Sequence, residues 1–162
     1  MNLLFVFNMG FDKNGPSVHL LRAVLKEALS AGHQCHVVLK KTPGLEFTGL
    51  EDMQAEFSGL TASFIESASE KSGFVKRYIE DCRYALKCKE HYKRGSYDAA
   101  FLQSCNVGWV HMGCLASLKC PVVFNVQDIF PQNLKFSGQL PASKITYPVF
   151  MFLQKIARAL LC

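Results

Sequence analysis

The sequence has no C-x-x-C pair. Its seven cysteines, at positions 35, 82, 88, 105, 114, 120 and 162, match no zinc-ligand spacing. Their number is odd and several stand in apolar runs, which points to buried, reduced thiols in a cytosolic protein. No Lys or Arg precedes the first apolar run, and Leu3 to Phe7 is too short for the core of a signal peptide. No stretch reaches the length needed to span a bilayer, so a cytoplasmic protein is expected, with peripheral membrane contact left open. There is also no strong charge of one sign. A net charge of +5, scattered along 162 residues, favours anionic ligands or an anionic membrane surface but is too weak to imply nucleic-acid binding. Internal repeats and low-complexity segments are missing as well. A composition 49% hydrophobic and 19% charged excludes disorder and supports one domain over residues 1–162 with a real core.

What is present is alternation. Leu3 to Phe7 is a continuous apolar run, as expected of a central parallel strand covered on both faces. Gly15-Pro16-Ser17 follows, and proline suits a first helical position because its missing N–H would be unpaired there anyway. Val18, Leu21, Val24, Leu25, Ala28 and Leu29 then recur at helical spacing up to Gly32, a C-terminal cap. Cys35 to Leu39 reads as a second strand closed by Lys40, Lys41 and Pro43. Residues 42–60 hold a variable connection with one short helix, and Ala62 to Ile65 a third strand. Phe74 to Arg94 is a long helix with Val75, Tyr78, Ile79, Cys82, Ala85 and Leu86 on one face. Lys87, Lys89, Lys93 and Arg94 crowd its end, where cations complement the helix dipole. Ala99 to Gln103 and Pro121 to Val126 are further strands around a short helix at 107–118, in which His111 is expected at the surface. The last helix, Tyr147 to Leu161, carries a stripe of Phe150, Leu153, Ile156, Ala157 and Leu160 beside Lys155 and Arg158. The order β-α-β-(α)-β-α-β-α-β-α predicts a parallel sheet with helices on both faces.

In such sheets ligands gather beyond the carboxyl ends of the strands. Three loops qualify: Asn8 to Ser17, Ser104 to Gly108, and Gln127 to Gln139. The first holds Gly10 and Gly15 but lacks G-x-G-x-x-G, and Pro16 stands where a phosphate-binding loop needs lysine. Its glycines serve the turn itself or let backbone N–H groups approach a ligand. Ser17 and His19 open the following helix, close to that loop; His19 either touches a ligand or faces solvent. Ser104 and Asn106 leave the fourth strand, and Cys105 between them has no evident base. Asp128 follows the fifth strand and Gln127, with Asn133 further along. A carboxylate there can accept a hydrogen bond or a proton from a hydroxyl substrate, or pin its loop. His33 and His36 flank Cys35 at the start of the second strand; neighbours along a strand point to opposite faces, so no metal site is expected.

Three segments together resemble the acceptor-side, N-terminal domain of family 4 glycosyltransferases of the two-domain GT-B architecture. The first is Leu3–Phe7, the glycine loop and a helix ending Ala31-Gly32-His33. The second is Tyr97-Asp98 before a strand ending Gln103-Ser104. The third, Pro121-Val-Val-Phe-Asn-Val-Gln-Asp-Ile-Phe-Pro-Gln-Asn133, is similar to the "Q-D-L-W-P-E-S" segment of a subgroup making bacterial surface polysaccharides. The resemblance covers nearly the whole chain and implies a Rossmann-like sheet, the N-terminal half of a GT-B fold.

The resemblance further implies transfer of a sugar from a nucleotide-sugar donor to a hydroxyl acceptor, with retention of configuration and no catalytic metal or cofactor. Lipid-linked saccharides at the inner face of the cell membrane are the typical acceptors. By position, Gly10, Gly15 and Ser17 would face the donor phosphates, and Gln127 and Asp128 the acceptor and reaction centre. Gln127 stands where many members have histidine, and Phe130 and Gln132 replace the subgroup's Trp and Glu. The family's C-terminal donor-binding domain is absent from these 162 residues, and with it most of the leaving-group stabilisation, so the isolated chain is expected not to turn over. The alternative expectation is a non-catalytic module that holds an acceptor or complements a separate donor-domain protein. An unrelated flavodoxin-like domain is the third, though no phosphate fingerprint supports it.

Overall fold

The computed structural model describes residues 1–7, 11, 16–41, 43–44, 46–67, 74–92, 96–103, 108–115, 118–125 and 143–159; for some of these, Ser17, Trp109 and Phe150 among them, the backbone alone is described. The first apolar run forms β1 (Asn2–Phe7), in which Leu4, Phe5, Val6 and Phe7 are all buried. Four more strands follow in the chain: β2 (Gln34–Lys41), β3 (Leu60–Glu66), β4 (Ala99–Gln103) and β5 (Val122–Asn125). They form one sheet in the order β3-β2-β1-β4-β5 with every pairing parallel. The helices are α1 (Pro16–Ser30), α2 (Thr48–Glu56), α3 (Phe74–Tyr92), α4 (Gly108–Leu115) and α5 (Ser143–Ala159). The expected Rossmann-like α/β architecture is therefore the observed one.

Side-chain alternation along the strands feeds two cores. On one face Phe5, Phe7, Val37 and Leu39 pack with Val18, Leu21, Leu25 and Leu29 of α1 and Leu50 and Met53 of α2. On the other, Leu4, Val6, Val38, Ala100 and Leu102 pack with Tyr84, Cys88 and Tyr92 of α3 and Cys114 and Leu115 of α4, and α5 packs on α4. Helix α1 ends as its sequence predicts. Gly32 lies at φ +80°, Gly32 N–H donates to the Leu29 carbonyl and His33 N–H to the Ala28 carbonyl, the paired bonds of a glycine-terminated helix. Asp98 clamps the start of β4 to β1: its carboxylate accepts from Asn2 N–H at 2.7 Å while its own N–H donates to the Asn2 carbonyl at 2.8 Å.

Three expectations need correction. In α3 the buried line is Asp81, Tyr84, Ala85, Cys88 and Tyr92; of the expected face Ala85 is buried and Cys82 half-buried, Ile79 and Leu86 are exposed, and the Val75 and Tyr78 side chains lie outside the described residues. The helix is rotated from its apolar stripe because its polar groups have partners in the interior. Lys40 does not close β2 at the surface; it is buried and donates to Asp81 Oδ1 at 2.7 Å. Tyr84 donates to the Phe7 carbonyl at 2.9 Å, with the Val38 carbonyl 3.3 Å away. Second, His111 is fully buried rather than at the surface, with Nδ1 3.2 Å from the Tyr92 hydroxyl and its ring edge-on to Tyr84. Third, α5 begins at Ser143, four residues before the expected start. Its expected stripe from Phe150 to Leu160 lies outside the described side chains, but Ile145, Val149 and Phe152 are exposed.

Removing one half of the buried ion pair strands the other half. Asp81→Ala should destabilise the chain by about 3–5 kcal/mol, and the double change Lys40→Met/Asp81→Leu should recover most of it, measured by urea denaturation. Burial also pushes the His111 imidazole down to about 3. The folded chain therefore keeps His111 neutral, while the unfolded chain protonates it below about 6.5. Stability falls as pH drops from about 6.5 toward 3, by about 2 kcal/mol between pH 7 and pH 5. His111→Gln should remove that part of the pH dependence of the urea midpoint.

Candidate functional site

Strand order reverses between β1 and β4. From β1 the chain builds outward through β2 and β3, then returns to the other side of β1 for β4 and β5. At such a switch the connections leave on opposite sides and open a crevice beyond the strand carboxyl ends. Val6 lies beside Leu102 and Gln103 beside Asn125, so β1, β4 and β5 end in a row at Phe7, Gln103 and Asn125. The three loops expected to bear the site start from this row. A helix linking parallel strands runs back against them, so the N-terminus of α1 at Pro16 faces the same edge.

Gly10, Gly15, Ser104, Asn106, Gln127, Asp128 and Asn133 lie outside the described residues. Ser17 falls in the first turn of α1, its side chain likewise outside, and His19 one turn in is exposed. What the fold brings together is thus the points of departure of these residues. Among the described residues no group of three His, Cys, Asp or Glu side chains is arranged to hold a metal ion.

Beside the buried Phe7, the described strand ends at this edge carry two carboxamides, Gln103 and Asn125. Gln103 is 1% exposed although it carries a carboxamide. Asn125 Nδ2 donates to its Oε1 at 3.1 Å, and its Nε2 has no hydrogen-bond partner. The sequence places Gln103, next to the candidate Ser104, only as the last residue of its strand. Its burial was not visible without the neighbouring strand. On the α3 face of the same edge, Lys40–Asp81 and the Tyr84–Phe7 bond hold the ends of β2 and β1. Burial disfavours the thiolate at each described cysteine, Cys35, Cys82, Cys88, Cys114 and Cys120. Burial pushes Cys35 up to about 11 and Cys88 up to about 12, so both stay protonated at neutral pH.

The opposite, amino edge holds a shallow cavity of about 430 Å³ lined by Asn2, Gln34, His36, Thr61, Ser96 and Tyr97 among others. There His36 Nδ1 sits 2.9 Å from Thr61 Oγ1, and burial, with His91 adding to it, lowers the His36 pKa. His36 is accordingly a hydrogen-bonded histidine within β2.

Tyr84→Phe removes the hydrogen bond that holds the Phe7 carbonyl. It should cost about 1 kcal/mol by urea denaturation, and it should shift the amide resonances of β1's carboxyl end rather than those of Asn2 and Leu3.

No family model matches this sequence, and no curated protein matches it. Among solved structures, the C-terminal domain of a hydrogenase from Pyrococcus furiosus is similar at a TM-score of 0.59 and 8% identity, over 77% of this chain and 90% of that one. MurG from Acinetobacter baumannii is similar at a TM-score of 0.53 and 17% identity, over 86% of this chain and 39% of that one. The chain therefore spans about two fifths of MurG's length. At these identities the likeness is one of fold, and a fold shared by two such proteins does not by itself choose a chemistry.

Proposed function

We propose that this chain is the acceptor-side, N-terminal part of a retaining GT-B glycosyltransferase of family 4. It acts in cell-surface polysaccharide synthesis, passing a sugar from a nucleotide-sugar donor to the hydroxyl of a saccharide or lipid-linked acceptor. The observation that carries this reading is the sequence of the Pro121–Asn133 segment, which continues from β5 at the carboxyl edge of a 3-2-1-4-5 parallel sheet. Similarity in fold to MurG, a GT-B glycosyltransferase, supports it. In this reading Asp128 hydrogen-bonds and orients the acceptor hydroxyl, whose oxygen bonds to the anomeric carbon on the face from which the nucleoside diphosphate departs, the leaving phosphate taking the hydroxyl proton, so that configuration is retained. Gln127, Asn133, Ser104 and Asn106 orient the acceptor. Gly10, Gly15, Ser17 and His19, around the N-terminus of α1, meet the donor diphosphate. No metal or cofactor takes part. Stabilisation of the leaving diphosphate falls to a donor-binding domain, so these 162 residues do not turn over by themselves.

A second reading is favoured by α5. Ile145, Val149 and Phe152 are exposed at i, i+4, i+7 spacing, beside the exposed Lys144 and Lys155, and the helix has no acidic residue. Such a face suits a non-catalytic module that docks on a separate donor-domain protein or rests on the inner face of the membrane. No helix among the described residues is long and apolar enough to cross a membrane.

Titration of the ¹⁵N-labelled chain with UDP-glucose and N-acetylglucosamine tests the proposal. Amide shifts should gather at Phe7, Gln103, Asn125 and the first turn of α1, and Asp128→Asn should weaken the saccharide response. No sustained transfer is expected from the chain alone. Shifts confined to Gln34, His36 and Thr61 at the amino edge, or no response to either compound, would overturn the reading.

A further inference from the structure

Among the described residues, three buried side-chain atoms lack a hydrogen-bond partner: Ser67 Oγ, His111 Nε2 and Gln103 Nε2. His111 lies within the α3–α4 layer, where Tyr92 already engages its other nitrogen. Ser67 follows the outer strand β3, away from the point where the strand order reverses. Gln103 alone of the three ends a strand at that reversal, between β1 and β5.

We propose that Gln103 is a substrate-positioning residue, its Nε2 amide held by Asn125 to hydrogen-bond a saccharide hydroxyl in the crevice between β1 and β4. The inference rests on the glycosyl-transfer reading above. Asn125 occupies Gln103 Oε1 at 3.1 Å, so the carboxamide cannot turn without breaking that bond, and its nitrogen is the atom left over. Gln103 lies on the same face of β4 as Phe101, whose ring packs 5.6 Å from that of Phe5, so that Asn125 stands beside it among apolar neighbours. A polar group buried without a partner opposes folding, and a residue of similar length without the amide would be the more stable choice. That position trades stability for a donor suits a group reserved for a ligand. The Gln103–Asn125 pair carries no charge, which suits a neutral hydroxyl rather than a phosphate. A hydroxyl can accept from the amide nitrogen and still donate elsewhere. Because the nitrogen is closed to solvent in the free chain, the crevice must open slightly for the contact to form, and that opening is part of the affinity measured.

Gln103→Met keeps the length and apolar packing of the side chain and leaves Asn125, half-buried, free to turn to water. Its thermal midpoint should be no lower than that of the wild type. Its affinity for N-acetylglucosamine, and for the sugar of UDP-glucose, should fall about tenfold, with UDP binding unchanged. Retention of saccharide affinity by Gln103→Met, together with a lowered midpoint, would show a purely structural amide and overturn the proposal while leaving the glycosyl-transfer reading intact. An equal loss of UDP affinity would overturn it by moving the contact to the nucleotide. A wild-type chain that binds none of the three compounds would overturn both. In the bound wild type the Gln103 side-chain NH₂ resonances should move on adding N-acetylglucosamine and stay in place on adding UDP.

Discussion

β1 is hydrogen-bonded along both edges and buried on both faces, and every other element takes its position from it. Leu4 and Val6 belong to one core, Phe5 and Phe7 to the other, so a single run of residues specifies both layers. β2 and β4 add to either side in parallel, and parallel neighbours need crossovers, which place α1 and α2 on one face and α3 and α4 on the other. The change of direction at β1 is then unavoidable, and with it the crevice at the carboxyl edge. The location of the candidate site is a consequence of how the central strand is buried.

The α3 face shows a second constraint. Its helix is aligned by polar groups, Asp81 to Lys40, Tyr84 to the Phe7 and Val38 carbonyls and Tyr92 to His111, inside an otherwise apolar layer. Apolar contacts tolerate small rotations of a helix, whereas a buried ion pair at 2.7 Å does not, because either charge left alone in the interior is strongly unfavourable. The Asp81–Lys40 and Tyr84 bonds reach the carboxyl-terminal residues of β1 and β2, at the edge from which the glycine loop departs. Rigidity where loops attach is what a site built from loops requires.

Against this scaffold the two edges of the sheet differ in kind. The amino edge offers a shallow cavity whose polar groups mostly satisfy one another, as His36 and Thr61 do. The carboxyl edge offers an amide whose nitrogen is buried and unsatisfied, beside the segment that carries Gln127 and Asp128. General rules for open α/β sheets favour the second edge, and the unsatisfied donor is a local observation pointing the same way.

Much of the fold was legible in the residues themselves. The apolar run of β1, the proline start and glycine stop of α1 and the β-prone segments at 99–103 and 122–125 depend on local propensity and periodicity, which are properties of sequence. The likeness of Pro121–Asn133 to a glycosyltransferase segment was legible in the same way. What sequence could not decide was which polar residues go inside. The sequence places His111 at the surface and marks none of Lys40, Asp81 and Gln103 for burial, since each is costly to bury alone; each of the four is buried here, beside a partner 19 to 41 residues away in the chain. Pairing across 19 to 41 residues exists only once the sheet and helices have assembled. The sequence by itself therefore determined the elements and their order, and with them the edge at which open α/β sheets gather ligands. The tertiary structure decided the rotation of α3, the burial of His111 and the orphaned amide of Gln103, because the energy of a buried polar group is set by its partner and not by its own side chain.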